Sequence, residues 1–223
     1  MNKIAMKYLP VKRSLPLLAS LMLLAALAVA AEPDLKARLS DLQQRWAVAN
    51  YEMRGQPRIA ALETLAQNAV RLAALNPKRV EVWIWSGMIQ ATLARAATGI
   101  NSLNAATAAR IDLERALAID PKAMDGAAYT QLGALYYKTP GWPVGFGDRK
   151  KARELLFKGV KADPDGIDSN YFYGDFLLEE GQRREARVYL LRAQKAPPRP
   201  GQALADTGRR RDIAKLLAKI HAQ

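Results

Sequence analysis

Beyond residue 33, apolar positions recur every third or fourth residue, the spacing of one face of a helix. Leu35, Leu39, Leu42, Trp46 and Val48 form the first stripe, and Ile59, Leu62, Leu65, Ala69, Leu72 and Leu75 form the second. Gly55-Gln56-Pro57 separates them, with Pro57 suited to a first helical turn. Asn76-Pro77 ends the second, because a residue before proline is pushed out of the helical region. A third helix is predicted over 79–98, a kink or short loop over Gly99–Asn104, and a fourth helix ending at Pro121. A fifth spans Gly126–Lys138. Two prolines and three glycines then exclude regular structure from 139–148. Asp148 is a predicted N-cap for a sixth helix ending at Pro164, and Gly181 a predicted C-cap for a seventh that begins near Asp168. An eighth covers 182–196, the prolines after it enforce an extended stretch, and a last helix over 206–220 carries Ile213, Leu216, Leu217 and Ile220. No strand alternation interrupts this series, so the fold class is all-α.

The helices also repeat in pairs. In 170–198, Gly174 is followed twelve residues later by Ala186 and twelve after that by Pro198. Gly133, Ala152 and Pro164 repeat the pattern with seven residues inserted, and Trp83, Gly87, Ala109, Leu113, Ala116 and Pro121 repeat it with an insertion near Gly99. These positions resemble those of the tetratricopeptide repeat (TPR), a helical hairpin of about 34 residues. The resemblance implies a right-handed superhelical stack of hairpins, an α-solenoid. It divides the chain into a degenerate N-terminal hairpin at 31–77, repeats at 78–198, and a linker with a capping helix at 199–223. Arg209, Arg210, Arg211, Lys215 and Lys219 are expected mostly on the solvent side of that last helix.

Composition narrows the setting. The 223 residues carry a formal charge of +13. Lys3, Lys7, Lys12 and Arg13 precede an apolar run that ends in Ala28-Val29-Ala30, so residues 1–30 read as a cleaved secretory signal and the chain as periplasmic. Export disfavours nucleic acid as a partner despite the basic charge, and leaves the membrane a role only through the signal or an anionic surface. Nothing after residue 31 is apolar enough to span a membrane. The absence of cysteine excludes disulfides and thiolate sites, and one histidine, His221, excludes a histidine triad.

In TPR proteins the partner lies in the concave groove lined by the first helix of each hairpin. That resemblance marks Ile84, Trp85 and Met88, then Thr130, Gln131, Ala134, Tyr137 and Lys138, then Tyr171, Phe172, Asp175 and Glu179. Trp142 and Phe146, large apolar groups on the inserted loop, either contact a partner or pin the loop to the stack. Asp163, Asp165 and Asp168 lack the spacing of a calcium loop and are read as turn and capping residues. Glu179 and Glu180 are read as solvated. No metal site, cofactor or catalytic group is expected, so the chain reads as a non-enzymatic binder of a protein or peptide. Signal, irregular repeats and Trp loop together also resemble the periplasmic T component of TRAP-type transporters. That second resemblance implies a solute-binding protein as partner and a small apolar ligand. A scaffold in cell-envelope assembly is the alternative, and a homo-oligomer is compatible with either.

Overall fold

Every regular element among the described residues, 35–221, of this computed structural model is an α-helix. The signal expected at 1–30 lies outside those residues. Two compact units divide the chain, 1–38 and 39–223. Residues 35–38 of the first are helical, and all that follows concerns the second.

The first helix, α1, continues through residue 51. After it come α2 (Gly55–Leu75), α3 (Val80–Ala96), α4 (Gly99–Ile119), α5 (Ala123–Lys138), α6 (Arg149–Ala162), α7 (Ile167–Glu179), α8 (Arg183–Lys195) and α9 (Ala203–His221). Helices α3 and α4, α5 and α6, and α7 and α8 pack as hairpins. The odd members also touch along the stack, α3 on α5 and α5 on α7, whereas α4 and α6, or α6 and α8, do not meet. The stack therefore curves toward its odd helices, and their free sides form its inner face.

Each hairpin closes at a glycine. A Cβ on Gly87 would lie 2.5 Å from Leu113 Cγ, and one on Gly174 would lie 2.8 Å from Leu190 Cγ. At Gly133 the conflict is with main chain, 2.9 Å from the Leu156 nitrogen. Leu113, Leu156 and Leu190 are fully buried, each four residues after the small residue of its helix. Absence of a side chain lets the helices approach, and a leucine then fills the contact.

Local signals decide the ends. Asp148 accepts a hydrogen bond from Lys151 N at 2.9 Å as the N-cap of α6. Gly181 (φ +76°) turns the chain after α7, its N–H donating to Leu178 O. The kink expected over Gly99–Asn104 is helical instead. Gly99 (φ +60°) completes the turn alone, and Ser102 Oγ donates to Ala94 O at 2.7 Å across it. In α5, Met124, Asp125 and Gly126 are left-handed, so its regular part begins at Ala127. Val48 and Leu75 leave the predicted stripes for solvent, Leu75 in the last turn of α2.

Helix α9 caps the stack as expected, and more. Ile213 and Leu217 join Ile167, Leu190, Ala193 and Ala196 in one buried cluster. Its N-terminal half turns onto the inner face, where Gly208 meets the Tyr51 ring so closely that a Cβ would fall 2.2 Å from it. Arg209, expected in solvent, is buried for that reason. Arg210 is half-buried and donates to Ala196 O at 2.7 Å, while Arg211, Lys215 and Lys219 are exposed.

Candidate functional site

The inner face carries a cleft of about 510 Å³. Trp85 and Met88 of α3 and Thr130 and Gln131 of α5 form one wall. The turn at Asp163–Gly166 with the first residues of α7, and the connection 197–202, form the other. Pro197 and Pro198 keep the chain extended and apolar, but the extended stretch expected from the prolines ends there: residues 199–202 form a turn, closed by Gln202 N–H donating to Arg199 O at 3.1 Å with Gly201 left-handed (φ +72°). Met124 and Asp125, the left-handed pair, lie at the edge of the cleft. Trp85 is 2% exposed, and its indole N–H has no hydrogen-bond acceptor. The Trp46 ring meets it edge-on at 5.7 Å. Thus Trp85, Met88 and Gln131 are brought together, with Trp85 serving core and cleft alike. Burial and the nearby carboxylate of Asp125 raise the pKa of Asp163.

An arginine–aspartate cluster fixes the second wall. Asp168 accepts from Arg209 Nε at 2.6 Å and from Arg199 at 2.6 Å, and Arg199 also reaches Asp206 at 2.7 Å. Burial alone raises the pKa of Asp168, but the two guanidinium groups bring it below the usual carboxylate range. Asp168, expected in a turn or capping role, is instead the anion that holds α9 to α7. The Arg209 guanidinium lies 4.1 Å from the Tyr171 centroid and 4.7 Å from that of Phe172, so it covers the two aromatic groups predicted for a partner.

Tyr137, Lys138, Asp175 and Glu179 form a second, self-contained set. Tyr137 Oη donates to Asp175 at 2.8 Å, Lys138 pairs with Asp175 at 2.9 Å, and Lys138 also pairs with Glu179. Burial and the adjacent Asp175 raise the pKa of Tyr137 well above its usual value. Glu179 and Glu180, expected in free solvent, both pair with Arg149 of α6. The inserted loop divides its two aromatic groups. Phe146 packs edge-on to Tyr136 at 5.5 Å with Arg110 of α4 over its other side, while Trp142 is 90% exposed. The loop therefore rests against α4 and leaves the inner face open.

Two inward residues lie beyond the predicted groove positions. Met88, Thr92 and Arg95 lie at spacings of four and three, so the stripe that begins at Trp85 continues to Arg95. Tyr51 closes α1, where its spacing from Trp46 falls off the periodic stripe. Burial pushes Tyr51 up to about 12, and crowding by the surrounding inner face, with the neighbouring Arg209, lowers Arg95 although its side chain still reaches solvent. Among the described residues no group of histidine, cysteine, aspartate or glutamate could hold a metal, and no helix is long and apolar enough to cross a membrane.

Curved stacking of hairpins with an inner cleft defines an all-α helical-repeat protein. Among solved structures the chain is similar to TTC0263, a thermophilic TPR protein in Thermus thermophilus, with a TM-score of 0.55 at 20% identity over 73% of this chain and 76% of that one. It is also similar to MamA, with a TM-score of 0.34 at 19% identity over 61% and 89%. The first likeness supports the TPR-like fold, at an identity that speaks for fold alone. No protein-family model matches the chain, and no curated protein matches its sequence.

Proposed function

We propose that this chain is an exported, non-catalytic binding module that takes a segment of a protein partner on its inner face. The observation that carries the reading is the cleft between α3, α5 and the 197–202 strap, where Trp85, Met88 and Gln131 meet three prolines. A recess of 510 Å³ suits one or two side chains of an extended segment, with apolar walls for contact and Gln131 and Thr130 for orientation. Residues 1–30 support export, and the resemblance to the transporter T component makes a periplasmic solute-binding protein the partner. Exposed Trp142 offers a second contact on the α4 side of the stack.

The test is photo-crosslinking of the full chain carrying a benzophenone amino acid in place of Met88, in cells, followed by mass spectrometry of the adducts. A solute-binding protein crosslinked from Met88, but not from exposed Lys215, is the expected result. An adduct with an envelope-assembly protein would select the scaffold reading instead. Equal labelling from both positions, or none from Met88, would overturn the cleft as the binding surface.

A further inference from the structure

Arg95 faces inward on the inner face without a counter-charge. It ends the α3 stripe, solvent reaches its side chain, and Nη2 donates to Thr92 Oγ1 at 3.1 Å. No carboxylate lies within ion-pair distance of it among the described residues, whereas Arg209, Arg199 and Lys138 are each matched by aspartate or glutamate. Contacts run in a closed circuit around it. Thr92 also accepts from Trp46 Nε1 at 2.9 Å, and the Trp46 ring meets Tyr51 at 5.9 Å. Tyr51 touches Gly208, and the next residue, Arg209, covers Tyr171. The circuit returns to Arg95 through Lys138, which pairs at 2.9 Å with Asp175, one turn beyond Tyr171, and lines a 70 Å³ recess together with Arg95 and Ser102.

The carboxylates beside this basin, Asp168 and Asp175, are already held by Arg209, Arg199, Lys138 and Tyr137, and the polar groups left over suit an anion. Arg95 brings planar paired donors, and a guanidinium matches a carboxylate at two points. The hydroxyls of Tyr51 and Tyr171 have no hydrogen-bond partner among the described residues, and both stay protonated at neutral pH, so each can donate. Arg209 adds a second positive charge whose repulsion of Arg95 a bound anion relieves. Size follows from α9. The helix lies against Tyr51 and over Tyr171 and Phe172, on the part of the inner face where an extended peptide would run. We infer that the basin bounded by α1, α3, α5, α7 and α9 is a binding site for a small organic carboxylate, held by Arg95 with Tyr51 and Tyr171 donating beside it. The site is separate from the cleft and stands whether or not the cleft takes a protein.

Titration calorimetry of the full chain with benzoate, its neutral isostere benzamide, and a tripeptide with a blocked N-terminus and free C-terminus tests this. Benzoate is expected to bind saturably and benzamide not at all. R95Q should weaken benzoate at least about tenfold, the effect of losing a charge-assisted bidentate contact. Y171F keeps the ring beneath Arg209 and should weaken it severalfold, and R211Q, at an exposed site, should leave it unchanged. Circular dichroism of each variant confirms folding. No binding of benzoate, equal binding of benzamide, or an unchanged affinity in a folded R95Q would overturn the assignment. Tighter binding of the tripeptide than of benzoate would overturn its restriction to small molecules.

Discussion

Arg209 donates to Asp168 at 2.6 Å while its guanidinium plane rests on Tyr171, so a residue of the last helix completes the surface of α7. Both partners are largely buried, and the pair is triangulated by Arg199. Removing the shared anion leaves buried Arg209 with only a 3.6 Å contact to Asp212 and Arg199 with Asp206 alone, whereas removing one cation leaves the anion matched. Asp168→Asn is therefore expected to cost about 3–5 kcal/mol and Arg209→Met less, about 1–3 kcal/mol. Urea denaturation of the two variants gives the ordering, and a larger loss in Arg209→Met would show that stacking outweighs the ion pair.

The same cluster sets an acid limit. Asp168 titrates below its unfolded value of about 3.9. A depressed folded-state value contributes stability above the unfolded value and loses it as pH falls through the folded one. Wild type should weaken below about pH 4, and Asp168→Asn should lose less in that window. Asp163 has the opposite sign. Burial and Asp125 raise its value, so its charged form is penalised at neutral pH. Asp163→Asn is expected to melt higher than wild type at pH 7, with the gain fading as pH falls through the folded Asp163 value. A gain that persists into acid would remove charge as its cause.

At the hairpin glycines, the identity of the opposing atom decides the cost. Gly174→Ala pushes chiefly on the Leu190 side chain, with the nearest main-chain atom, Ala186 O, at 3.3 Å, whereas Gly133→Ala also pushes on the Leu156 main-chain nitrogen at 2.9 Å. Both overpack the contact, at about 1–3 kcal/mol, with Gly133→Ala at the upper end. Thermal melts by circular dichroism should rank them in that order.

Within the inserted loop, Phe146→Ala removes an edge-on contact with Tyr136 and the Arg110 stack, and should cost about 1–2 kcal/mol. Trp142→Ala removes a side chain that is 90% exposed and should change stability by less than about 0.5 kcal/mol. A Trp142 variant that melts normally but loses crosslinking to a partner would assign it to recognition.

Helix existence is legible in the sequence because apolar periodicity and the proline and glycine stops reinforce each other from α2 to α8. The glycine–leucine contacts are legible too, since the repeat pattern rests on them. Half of the inner face is not. Trp85, Met88 and Gln131 follow from the repeat, but their opposite wall is the proline strap at 197–202, which no periodicity places. Arg209 reads as solvent-facing because its helix alternates charge with apolar groups, and only the approach permitted by Gly208 turns it inward. Glu179 and Glu180 read as solvated because their partner Arg149 is about thirty residues away in sequence, beyond any helical spacing. Pairings between distant helices are not written in local pattern.

The contact of Gly208 with Tyr51 joins residues 157 positions apart (208 − 51). A stack of hairpins in which each meets only its neighbours melts progressively, from whichever end is weakest. Here the last helix returns to the first hairpin, so the ends share a fate. The long loop it closes makes that junction a late event in folding, since chain entropy opposes it until the intervening hairpins stand. Once formed, it ties local openings into a single cooperative transition, and truncation at the C-terminus should be felt at the opposite end of the chain.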